Sequence, residues 1–75
     1  MSNEVLRVHD INPDGVRVAL RWDAFVVGAS IFIPCINTDL AIKQLTKITD
    51  NKAQQVTIKI RVENGCLGVR IWRIV

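Results

Sequence analysis

Gln55-Val56-Thr57-Ile58-Lys59-Ile60-Arg61-Val62-Glu63-Asn64-Gly65-Cys66-Leu67-Gly68-Val69-Arg70-Ile71-Trp72-Arg73-Ile74-Val75 decides the fold. Val56, Ile58, Ile60 and Val62 alternate with Thr57, Lys59 and Arg61. Period-two alternation marks a strand with one buried and one wet face. Asn64-Gly65 is the strongest short hairpin signal, while Gly68 predicts a longer loop or a bulge. The returning strand sorts into Arg70, Trp72 and Ile74 on one face and Val69, Ile71, Arg73 and Val75 on the other. A bulge at Gly68 would exchange those faces, bringing Arg73 outward and Trp72 inward.

Upstream of the hairpin, residues 38–50 read as a helix. Asn37 or Thr38 is its N-cap, and Asp39 sits in the first turn, where the helix dipole favours an acid. Leu40, Ala41, Leu45 and Ile48 recur at helical spacing, so one apolar face lies across a sheet. Ala29-Ser30-Ile31-Phe32-Ile33-Pro34 is predicted as a strand covered on both faces, stopped by its proline. Val16, Val18, Leu20 and Trp22 alternate with Arg17, Ala19 and Arg21, which predicts another strand. Asp10 to Gly15 carries dense turn signals, so Glu4–His9 and Val16–Trp22 are expected to form a hairpin. The predicted fold is α+β: a single domain, 1–75, with an antiparallel sheet of about five strands, one helix packed across it, and the order β-β-β-α-β-β.

Hydrophobic residues make up 49% of the 75. A chain this short buries only about 60% of the surface it exposes when unfolded. Some apolar surface should therefore be covered by a second copy, and a homodimer is expected. The net charge of +3 is unevenly spread. Residues 51–75 carry Lys52, Lys59, Arg61, Arg70 and Arg73 against Glu63 alone, a net +4, and the remainder nets −1. Cys35 and Cys66 sit among apolar neighbours and are expected to be buried free thiols with no metal and no disulfide. Met1-Ser2-Asn3-Glu4 lacks the basic start and apolar stretch of a signal peptide, and no apolar run approaches the roughly 20 residues of a membrane span. A cytoplasmic location and no membrane partner are expected.

The residues argue against an enzyme and against a cofactor. His9 is the single imidazole, and its neighbour Asp10 points to the opposite face of a strand. General acid–base work needs two tuned groups together, and Val27-Gly28-Ala29-Ser30-Ile31 is not a nucleophile elbow. Nucleic-acid binding is the sharper expectation. Arg17, Arg21, Lys59, Arg61 and Arg70 fall on outward strand positions, with Trp72 in phase with Arg70, and Arg73 is counted with them as a nucleic-acid contact. Cations that track phosphates beside a ring that stacks on a base make a single-strand platform. The plainer account is that arginines are common on wet strand faces and that Trp72 packs under the helix or into a dimer interface. Trp22 ends an inward set and is expected in the core.

Val27-Gly28-Ala29-Ser30-Ile31-Phe32-Ile33-Pro34 and Gly68-Val69-Arg70-Ile71-Trp72-Arg73 resemble segments of small uncharacterised tailed-bacteriophage proteins. Those carry a Val-Gly-x-Ser-x-x-x-Pro segment and a C-terminal Arg-x-Trp-Arg strand. Ala29 stands where many have an acid, and Ile31 where many have Phe. The resemblance covers residues 22–75, implies a phage or phage-like origin, and carries no activity with it. It groups Gly28, Ser30 and Pro34 as a structural motif with Arg70, Trp72 and Arg73. Two functions stay open: a nucleic-acid-binding protein of DNA or RNA, and a phage structural or host-protein interaction module.

Overall fold

The structure, a computed structural model, describes residues 10–75. One 3-10 turn, Trp22–Ala24, precedes strand β1 (Ser30–Pro34), helix α1 (Thr38–Asn51) and strands β2 (Val56–Glu63) and β3 (Cys66–Arg73). The sheet has three antiparallel strands in the order β1-β3-β2, with α1 packed across it.

The C-terminal hairpin closes on Glu63↔Cys66 around Asn64 (φ 52°) and Gly65 (φ 77°). Two positive φ values are what a two-residue turn of type I′ requires. The register then runs unbroken to Val56↔Arg73. The longer loop or bulge expected at Gly68 is not formed, and the facing of β3 is that of its simple alternation. Gly68 answers a different need. A Cβ there would meet the Ile33 carbonyl oxygen and stand 2.8 Å from Pro34 Cα and Phe32 Cζ. Only glycine lets β1 and the Phe32 ring approach β3 this closely.

Helix α1 follows the predicted caps. The Asn37 side chain accepts the Leu40 N–H at 3.1 Å. The Asp14 carboxylate accepts the N–H groups of Ile36 (2.9 Å) and Asn37 (2.8 Å), tying the upstream turn to the helix start. At the other end Ala53 takes a left-handed conformation (φ 55°) and donates to Asp50 O, while Gln54 donates to Thr49 O. Ala41, Leu45, Ile48 and Thr49 are buried against Ile33, Val69 and Ile71. Complete burial of a side chain such as Leu45 is worth about 1.5–3 kcal/mol. The Thr49 hydroxyl is satisfied by donating to Leu45 O at 3.0 Å.

The five-stranded sheet is corrected to three strands. Glu4–His9 lies outside the described residues. Among the described residues Val16–Trp22 makes no ladder, with Ile11↔Val18 as its one bridge. A turn closed by Gly15 N–H to Asn12 O brings that bridge together. Val18, Leu20 and Trp22 pack against the core as their alternation predicts, whereas Val16 is exposed. The turn before this segment is pinned to α1. Asn12 N donates to Gln44 Oε1 at 2.8 Å, and Gln44 Nε2 donates to Asn12 Oδ1 at 2.9 Å. Trp22 is half-buried rather than core, meeting the fully buried Phe25 edge-on at 5.3 Å.

Candidate functional site: the open face of the sheet

The register sorts the sheet into two faces. Ile31, Ile33, Val56, Ile58, Val69 and Ile71 face α1 and join its core. The opposite face has three cross-strand rows: Ser30–Trp72–Thr57, Phe32–Arg70–Lys59 and Pro34–Gly68–Arg61. Cys66 and Glu63 extend it toward the turn. Among the described residues no element covers this face.

Its side chains interlock along the strands. Arg70 makes a two-pronged ion pair with Glu63, Nε to Oε2 and Nη2 to Oε1, both 2.7 Å. A fork-to-fork pair of this kind fixes orientation as well as charge. Arg70 Nη1 also donates to Ser30 Oγ at 2.7 Å, and its guanidinium carbon lies 5.7 Å from the Phe32 ring centre. Arg61 approaches the same Glu63 at 3.3 Å and lies 5.9 Å from the centre of the Trp72 ring. Two aromatic rings, each with a guanidinium beside it, are thus bridged by one carboxylate. Hydrogen bonds from Arg70 hold the Glu63 carboxyl below its ordinary range, against the opposing effect of burial, and the Arg70 and Arg61 charges add to the lowering. Lys59 is exposed, with no carboxylate paired to it among the described residues. Three cations against one carboxylate leave the face basic.

Of the residues expected to bind, Lys59, Arg61, Arg70 and Trp72 are brought together here. Arg17 and Arg21 are not. They line a shallow hollow with Leu20 and Trp22 on the segment tied to α1. Each faces an acid there: Arg17 Nε lies 3.0 Å from the buried Asp10, and Arg21 Nε lies 3.4 Å from Asp23. Arg73 is corrected as well. It shares its face with Val56 and Ile71 and donates to Phe25 O (2.9 Å) and Val75 O (3.1 Å), so it ties loops to the sheet. Gly28 begins that tie, donating its N–H to Arg73 O at 2.9 Å. Ser30 supplies a hydroxyl to Arg70, and Pro34 ends β1 against Gly68.

Phe32 and Glu63 were not among the expected site residues. The signal for both was parity. Phe32 is two residues from Ser30, and Glu63 continues the set Lys59, Arg61. The expectation of two buried thiols holds for Cys35, whose pKa burial pushes up, with the nearby Asp14 charge adding to the rise. Cys66 is exposed on the open face. Among the described residues no group of three or more His, Cys, Asp or Glu gathers to hold a metal, and no helix is long and apolar enough to cross a membrane. No protein-family model, curated protein or solved structure matches this chain.

Proposed function

We propose that this chain is a small non-enzymatic protein that binds single-stranded nucleic acid across the open face of its sheet, and that it acts as a homodimer. One observation carries the reading: Trp72 and Phe32 share an uncovered sheet face with Arg61, Arg70 and Lys59. Bases stack on aromatic rings and on guanidinium planes, and cations neutralise the phosphates between them. Sequence preference would be weak, because stacking tolerates every base. Glu63 orders the two arginines and leaves Lys59 and part of Arg61 for phosphate. A host-protein interface is the second reading, favoured by the exposed apolar side chains Ile60, Val62 and Leu67 at the hairpin end. The phage-like segments Val27–Pro34 and Gly68–Arg73 support a phage origin under either reading.

Fluorescence anisotropy with labelled single-stranded and duplex oligonucleotides tests the proposal. Single strands should bind in the micromolar range in about 50 mM salt. Two to three phosphate contacts give a log–log salt slope of about −1.4 to −2, so a fourfold rise in salt should weaken binding roughly tenfold. Trp72→Ala should cost about 1–3 kcal/mol of binding. An absence of binding below about 50 µM in the same salt would remove the reading.

A further inference from the structure

Strand β2 lies at the edge of the sheet, with β3 on one side and no strand on the other among the described residues. The tight turn makes Glu63↔Cys66 a hydrogen-bonded pair. Antiparallel bonding then alternates, so Thr57, Lys59, Arg61 and Glu63 spend their backbone groups on β3. Gln55, which bonds Ile74 and Val75, keeps the same phase. The N–H and C=O groups of Ile58, Ile60 and Val62 therefore point out of the sheet edge. A long edge of unspent backbone groups is a template for another strand. Beside it Ile60 and Val62 are 52% and 67% exposed on the helix-side face.

Charges on an edge strand ordinarily keep copies apart. This strand carries both signs on its open face, in the order Lys59, Arg61, Glu63. A two-fold axis perpendicular to the sheet keeps each side chain on its own face, so each residue meets a partner residue of the same parity. Centring the axis on Ile60 would set Lys59 against the partner's Arg61, twice. Moving it one residue on, to Arg61, sets Lys59 against the partner's Glu63 twice and Ile60 against the partner's Val62 twice. Each Arg61 keeps its own Glu63 at 3.3 Å. Glu63 has about four acceptor positions and uses two of them on Arg70.

We propose that two copies of this chain pair antiparallel along β2 with the two-fold axis at Arg61, forming one six-stranded sheet. The exposed Ile60 and Val62 of each copy cover each other, and Lys59 gains a carboxylate that it lacks among the described residues of one chain. The two open faces become a single surface. The inference stands on the edge and its charge order, independently of what the open face binds.

The test is the solution mass of the full chain without nucleic acid, joined to a crosslink. Sedimentation equilibrium at high-micromolar concentration should give twice the 8.4 kDa of one chain. Ile60→Pro removes an N–H that points away from β3 and bonds nothing among the described residues, and Ile60→Lys places a charge in the seam. Each should return the mass to that of one chain with an unchanged circular dichroism spectrum. Should the proline variant fail to fold, the lysine variant decides. Arg61 opposite its own copy is a non-hydrogen-bonded pair, close enough for a disulfide. Arg61→Cys in a Cys66→Ser background should therefore crosslink on mild oxidation, while Thr57→Cys in that background should not. A single-chain mass at high-micromolar concentration, a dimer that survives both Ile60 variants, or crosslinking at residue 57 rather than 61 would overturn the proposal.

Discussion

Gly68 and Glu63 show how single residues set the open face. The missing side chain at Gly68 admits Phe32 and the β1 backbone to β3. Backbone cannot yield as a flexible side chain can, so Gly68→Ala should destabilise the fold by about 1–3 kcal/mol, read as a lowered urea midpoint. An unchanged midpoint would contradict the close approach. Glu63 makes stability depend on pH. Its folded pKa lies below the ordinary value of 4.5, chiefly because Arg70 donates to it. The folded state therefore holds that proton less tightly than the unfolded state. The stabilisation is complete above the ordinary value and is lost as pH falls through the lowered one. Wild type and Glu63→Gln should differ in urea midpoint at neutral pH, and the gap should close as pH falls below the ordinary carboxylate value. A gap that stays constant with pH would show that the carboxylate charge does not matter. Lys59, Arg61, Arg70 and Trp72 were legible as one face because their alternation is unbroken. The Glu63–Arg70 pair was not, because it runs diagonally along the strands rather than between opposed residues.

At the scale of elements, α1 and the β2–β3 hairpin were read with their correct types, whereas Val16–Trp22 joins no strand among the described residues and its expected partner Glu4–His9 lies outside them. The helix announces itself twice, in its spacing and in its cap, and Asn37 performs that cap. The hairpin has Asn64-Gly65, whose turn chemistry specifies a pairing. Val16–Trp22 offers only alternation, which reports two environments and says nothing of a ladder. In the structure Arg17 is held by Asp10 and Asn12 by Gln44, and Val18, Leu20 and Trp22 pack inward, with no strand bonded to the segment among the described residues. Arg17 and Arg21 left the predicted binding face together for that reason. The far end of α1 offers a direct check of the helix boundary. Ala53 sits in a left-handed conformation that costs an L-residue about 1 kcal/mol or more and costs glycine almost nothing. Ala53→Gly should raise the stability by up to about 1 kcal/mol, seen as a higher melting temperature. A lower melting temperature would mean that α1 does not end there.

At the scale of the whole molecule, one helix on a three-stranded sheet leaves the opposite face of the sheet uncovered among the described residues. The 49% hydrophobic content predicted apolar surface that one chain cannot bury, and Val16, Ile36, Ile60 and Val62 are indeed more than half exposed. Composition could not say where that surface lies, because it depends on which positions the packed elements leave open. Pairing along β2 would cover part of it and double the basic face, which should steepen the salt dependence of binding toward twice that of one copy. The central claim is that the face carrying Phe32, Lys59, Arg61, Arg70 and Trp72 is where nucleic acid lies. Its most direct measurement is a nitrogen–proton correlation NMR titration of the full chain with a short single-stranded oligonucleotide. The account predicts that the amide signals of Ser30, Phe32, Thr57, Lys59, Arg61 and Arg70 and the indole signal of Trp72 move together, while those along α1 stay in place. Shifts concentrated on α1 or around Arg17 and Arg21, with the Trp72 indole unmoved, would contradict it.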